Sequence, residues 1–158
     1  MEITVKRSYD RDEILSVLAN PDILKTITEG ESTNLAVDVE KSCFISAYVD
    51  GEISAVFIFD RLSNVVCDIH AHVLPAKRQH SKDIGAAILK HFFDIAPWAE
   101  KLNAIIPDCY PNVIKYALSF GFQVEGINRA SYVFDGALIN QAYLGATKAE
   151  VLNGLGKG

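Results

Sequence analysis

The stretch "CDIHAHVLPAKRQHSKDIGAAILKHFF", residues 67–93, concentrates the side chains of this chain that can move a proton or hold an anion. In an extended strand successive side chains alternate, so Asp68, His70 and His72 share one face while Cys67, Ile69, Ala71 and Val73 share the other. One carboxylate beside two imidazoles is a proton-transfer set near neutral pH. The same alternation also describes the solvated face of an antiparallel strand. No fourth ligand at metal spacing accompanies the three, so no metal is expected. After Pro75, the residues Lys77, Arg78, His80 and Lys82 place positive charge just ahead of a helix. Anions bind there because free backbone N–H groups and the positive end of the helix dipole converge. Arg78 is suited to a bidentate phosphate contact. Against this, no glycine precedes Gly85, and the Asp83 carboxylate repels a phosphate unless it serves as an ordinary first-turn helix acid. Open amides in this loop leave room for a diphosphate; Asp83 bonded to those amides closes it.

The elements that must position these groups follow from periodicity. "EITVKRSY" alternates as a half-buried strand. Asp10 then caps a helix through Ile14, Leu15, Val17 and Leu18, and Pro21 restarts a second short one. "NLAVDVE", "SCFISAYV", "EISAVFIFD" and "NVVCDIHAHVL" are expected to form an antiparallel meander, with Asp50-Gly51 as a two-residue hairpin. From Ser81 the period becomes helical, with Ile84, Ala87, Ile88, Leu89, Phe92 and Ile95 as the apolar stripe and Pro97 as the stop. Trp98 and the phenylalanines of "KHFF" are packing residues. "KLNAIIPD" is a strand reached through that helix, so the pair is expected to be parallel. "YPNVIKYALSFG" is a further helix that stops at Gly121, and two last strands turn at Asp135-Gly136. Residues 1–147 are expected as one domain and 148–158 as a tail with one helical turn and a frayed end.

Composition narrows the function classes. A chain of 158 residues that is 49% hydrophobic can bury a proper core, and no linker divides it. Twenty acidic against 15 basic residues, a net charge of −5, argue against a nucleic-acid surface and favour a cationic or neutral partner. No run approaches a membrane span and the start has no apolar leader, so a cytoplasmic protein without membrane partners is expected. Cys43, Cys67 and Cys109 form an odd, widely spaced set, read as small core thiols rather than a disulfide frame.

The order strand, two helices, antiparallel strands, helix, strand, helix, two strands resembles the GNAT superfamily of N-acetyltransferases over nearly the whole chain. Two segments carry the resemblance, "VLPAKRQHSKDIGAAILKHFF" and "PNVIKYALSFGFQVEG", the second through Asn112, Gly121-Phe122 and Glu125-Gly126. "YLGATKAEV" is similar to the family's final strand and the turn after it. The resemblance implies an α/β fold of the α+β kind, with a mixed, mostly antiparallel sheet of about six to seven strands flanked by about four helices. It also implies acetyl-CoA as co-substrate, its thiol arm entering between the fourth and fifth strands.

The family's pyrophosphate loop falls on Arg78, Gln79, His80, Ser81, Lys82, Asp83 and Gly85. One register matches Arg78 and puts Ser81 and Asp83 on the glycine positions; a two-residue slip instead aligns His80, Asp83 and Gly85. Backbone amides near Val73 would orient the thioester carbonyl. Asn112 is either a cofactor ligand or a helix-start residue.

For catalysis, His70 is the preferred base, with Asp68 orienting it or meeting the amine. The family's usual tyrosine acid sits four residues before the Gly-Phe pair, where this chain has Ala117. Tyr116, turned about 100° from that position around a helix, is the candidate acid only where the helix is shifted. The implied activity is direct acetyl transfer to a primary amine of a small molecule or protein, such as a polyamine, an aminoglycoside or a lysine side chain. Glu29 and Glu31 could line an amine pocket or form a solvated turn, and the exposed edge of the last strands could pair two copies as a homodimer. A second reading comes from "DIHAHVLPAKR", which is similar to small divergent GNAT-like proteins carried by bacteriophages. That likeness implies a catalytically degenerate binding or structural protein, associated with a virion or its assembly.

Overall fold

The structure, a computed structural model, describes residues 1–28 and 35–156. Its elements are β1 (Ile3–Ser8), α1 (Arg11–Leu18), α2 (Pro21–Ile27), β2 (Cys43–Val49), β3 (Glu52–Arg61), β4 (Val66–Val73), a 3-10 helix (Pro75–His80), α3 (Ser81–Ile95), β5 (Lys101–Pro107), α4 (Pro111–Leu118), β6 (Gln123–Phe134), β7 (Ala137–Thr147) and α5 (Lys148–Gly156). Local chemistry explains most boundaries. Asp10 accepts the Glu13 amide at 3.2 Å and Asn20 accepts the Asp22 amide at 3.0 Å, so each of the first two helices starts on a side-chain cap. Both hairpins turn through consecutive residues of positive φ, Asp50 and Gly51 at 50° and 83°, Asp135 and Gly136 at 51° and 77°. That pair matches the right-handed twist of the flanking strands.

The seven strands form one sheet in the order β1, β2, β3, β4, β5, β7, β6. All pairs are antiparallel except β4 with β5, which α3 connects in parallel. α3 lays Ile84, Ile88, Leu89, Phe92 and Phe93 on one sheet face, against Ile45, Phe57 and Phe59. The Phe59 and Phe92 rings stack at 4.0 Å. On the opposite face, Ile14, Val17 and Leu18 of α1 and Ile23 of α2 cover Phe44 and Val56.

Three expectations change. Residues 35–38 of the expected strand "NLAVDVE" are not in a strand; Val37 is buried beside α1 and α2 without ladder bonds, while Asn34 lies outside the described residues. On α3 the buried stripe includes Phe93, whereas Ile95, the last residue of the helix, is 41% exposed. Residues 148–156, read as tail, form α5, whose Val151 is fully buried in the α3-side core. Glu29 and Glu31 lie outside the described residues. Among the described residues, no helix is long and apolar enough to cross a membrane.

Replacing Phe92 with Ala removes the ring stacked on Phe59 from a site that cannot collapse. A loss of about 3 to 5 kcal/mol is expected in urea unfolding, with the slope against urea unchanged.

Candidate active site

β4 and β5 run together for only three residue pairs, Val66 to Asp68 against Lys101 to Asn103. Beyond them the strands part, while β4 stays bonded to β3 up to Val73 and β5 stays bonded to β7 up to Pro107. The gap opens into a cleft of about 750 Å³ lined from both sheet faces, by Phe57, Leu89 and Phe120 on the α3 side and by Ile23 and Thr26 on the α2 side. The Leu74 amide donates to the Ser54 carbonyl at 2.9 Å. Backbone direction alternates along an antiparallel ladder, so His70 and His72 direct their N–H and C=O groups to β3. Ala71 and Val73 present theirs to the gap. An extended chain with its own amides could pair there.

Asp68, His70 and His72 share the face opposite the α3-side core, as their alternation requires. His70 is exposed at the cleft wall. His72 also lines the cleft but is mostly buried, opposite Val56. Burial, helped by the neighbouring His70, pulls its imidazole down from 6.5 to about 4. Asp68 is half-buried, and its Oδ1 has no hydrogen-bond partner. Burial raises its carboxyl pKa, His70 offsets part of that rise, and Asp60, directly across on β3, adds to it. Asp68 therefore acts on His70 through space, by charge. Among the described residues no group of three His, Cys, Asp or Glu side chains could hold a metal.

The basic loop is a 3-10 turn, a third arrangement beside the open amides and the Asp83-bonded loop weighed from the sequence. Pro75 to His80 form a 3-10 helix, and the Ser81 amide donates to the Arg78 carbonyl. The Lys77 amide likewise donates to the Leu74 carbonyl at 2.9 Å, so the turn draws its own amides into i to i+3 bonds, and the first turn of α3 begins beyond it. No side-chain cap opens α3, and Asp83 stands exposed in its first turn. The cations also divide. Lys77 pairs with Glu52 at 2.9 Å. The Lys82 ammonium donates to the Ser119 carbonyl at 2.6 Å and to Ser119 Oγ at 3.1 Å, so it faces α4 instead of the loop. Arg78 lines the cleft, as do Ser81, Tyr110 and Asn112, while Gln79 is exposed beside it. Gly85 is buried, and a Cβ there would collide with the Tyr116 hydroxyl and the Phe120 ring. Its glycine serves helix packing, with no amide open to a ligand in this arrangement.

Tyr116 borders the cleft with its hydroxyl donated to the Ser81 carbonyl at 2.6 Å. Burial raises its pKa, so it stays a protonated donor. Cys109 also lines the cleft, and burial raises its thiol pKa above the ordinary value. Sequence patterns did not reveal Ile23, Lys25 and Thr26 of α2 as cleft residues, since their helical spacing signals only an amphipathic turn.

The depressed His72 makes stability depend on pH with a definite sign. The unfolded imidazole binds a proton near 6.5, whereas the folded one resists until about 4. Its contribution is therefore full above about 6.5 and is lost as pH falls toward 4. Urea midpoints at pH 7 and pH 5 should fall further apart in the native chain than in His72→Gln. The Asp68 shift runs in the opposite sense but is common to both proteins, so equal differences would remove His72 as the source.

No family model and no curated protein matches the chain. Solved structures do. Spermidine N-acetyltransferase from Vibrio cholerae, in complex with CoA and spermine, superposes with a TM-score of 0.77 at 10% identity, over 96% of this chain and 98% of that one. IAA acetyltransferase from Bacillus cereus gives a TM-score of 0.66 at 14% identity, over 92% of this chain and 99% of that one. An acetyltransferase of the GNAT family from Streptococcus pneumoniae gives 0.64 at 14% identity, over 92% and 99%. With its strand order, its single parallel pair and the gap beyond that pair, the chain has the fold of the GNAT N-acetyltransferases.

Proposed function

We propose that this chain is an acetyl-CoA-dependent N-acetyltransferase, moving an acetyl group directly to a primary amine of a small molecule or protein in the cytoplasm. The observation that carries the reading is the gap between β4 and β5, where the backbone of Ala71 and Val73 has no ladder partner on the β5 side and His70 stands at the wall. The extended thiol arm of the donor pairs with that backbone, and the Val73 amide orients the thioester carbonyl. Arg78 and the first-turn amides of α3 meet the pyrophosphate from the loop spanning Gln79 to Asp83, with Asn112 on the far wall.

The amine enters from the α2 side. Its nitrogen attacks the thioester carbon while His70 takes its proton, and Asp68 stabilises the imidazolium by charge. The carbon–sulfur bond then breaks and the thiolate leaves as coenzyme A, protonated from solvent. Direct transfer suits this chain because an acyl carrier would need a thiolate. Burial raises all three cysteine thiols, Cys67 to about 12. The edge of β6, the last strand of the sheet, is the surface through which two copies pair.

A second reading, a binding module without catalysis, has one observation in its favour, the closed amides of the 3-10 turn. Calorimetric titration with coenzyme A and acetyl-CoA separates the two. Micromolar binding is expected, weakened roughly tenfold or more in Arg78→Ala by loss of a charge-assisted contact. With a panel of amines, thiol release should fall about 10² to 10⁴-fold in His70→Gln while donor binding persists. Absence of heat at millimolar coenzyme A would overturn the enzyme reading.

A further inference from the structure

We infer that Tyr116 is a positioning residue, which with Lys82 clasps α4 onto the first turn of α3 and so holds the turn that faces the donor's pyrophosphate. The inference rests on the acetyl-CoA reading above. Two consecutive residues of that turn are tied to α4 by bonds of opposite sense. Ser81 accepts from the Tyr116 hydroxyl at 2.6 Å, and Lys82 donates to the Ser119 carbonyl at 2.6 Å. The Lys82 ammonium also lies 3.9 Å from the centroid of the Phe120 ring, and Tyr116 packs edge-on to Phe120 at 5.0 Å. Between them sits Gly85, where any side chain would displace both rings.

The clasp has a reason to exist. Neither the 3-10 helix before the turn nor the turn itself has a side-chain cap, so no neighbouring side chain in the connection fixes its first donors. The Ser81 carbonyl can accept the phenol on its second lone pair while keeping its helical bond. Lys82 meets the carbonyl end of α4, where a cation also offsets the helix dipole. An acid that protonates a leaving thiolate must point its hydroxyl at the sulfur; this one is committed to a helix carbonyl.

Tyr116→Phe keeps the ring and removes only the clasp bond. Two donors separate its roles, acetyl-CoA and acetyl-pantetheine, which lacks the pyrophosphate. The expected result is a KM for acetyl-CoA raised about tenfold, the size of one lost hydrogen bond, with kcat, the alkaline limb of the pH profile and the KM for acetyl-pantetheine unmoved. Amides from Lys82 to Gly85 should exchange hydrogen faster in the variant. Equal loss of kcat with both donors would make Tyr116 the acid and overturn the inference. Unchanged KM and unchanged exchange in a variant that melts normally would overturn it as well. If the native chain binds no coenzyme A, the enzyme reading fails on its own, and the exchange measurement still decides whether the clasp holds the turn.

Discussion

A sheet that stops pairing in its middle leaves backbone N–H and C=O groups facing each other across a space too wide for a ladder bond. Buried groups of this kind are costly unless something satisfies them. Here the parting of β4 and β5 after Asp68 and Asn103 creates that situation. β4 is held from its other side by β3 along its length, and β5 by β7. α3 connects the two in the chain and is anchored on the neighbouring strand by Phe92 stacked on Phe59. The cleft and the imidazole wall lie along this one interruption.

Electrostatics within the cleft are set by burial more than by pairing. His72 is kept neutral by its surroundings, and Asp68 is held closer to its neutral form by the same effect. His70, two residues from each, is the exposed one of the three at the cleft wall. Three groups that look equivalent along a strand are thus made unequal by depth.

The positive charge that clusters in the sequence between Lys77 and Lys82 is dispersed in space. Lys77 is drawn to Glu52 and Lys82 to the end of α4, which leaves Arg78 at the cleft. A long cationic side chain on a helix can reach carbonyls a turn away, and its direction is decided by what lies across from it. The same applies to Gly85, which resembles a phosphate-loop glycine by position and acts as a packing glycine under Tyr116 and Phe120.

What the amino-acid order determined by itself was local. The two Asp-Gly hairpins, the cap at Asp10, the helix restart at Pro21, the helix from Ser81, the crossover to a parallel strand and the alternation that groups Asp68 with His70 and His72 are all consequences of φ/ψ preference and periodicity over a few residues. The tertiary structure alone decided where pairing fails, which face of α2 meets the cleft, that residues 35–38 run without a ladder, and that α5 buries Val151. It alone assigned Lys82 to Ser119 and Tyr116 to Ser81, partners 37 and 35 residues apart. The physical reason is the same in each case. These outcomes depend on distances between elements remote in the chain, and a period of 2 or 3.6 residues carries no record of them.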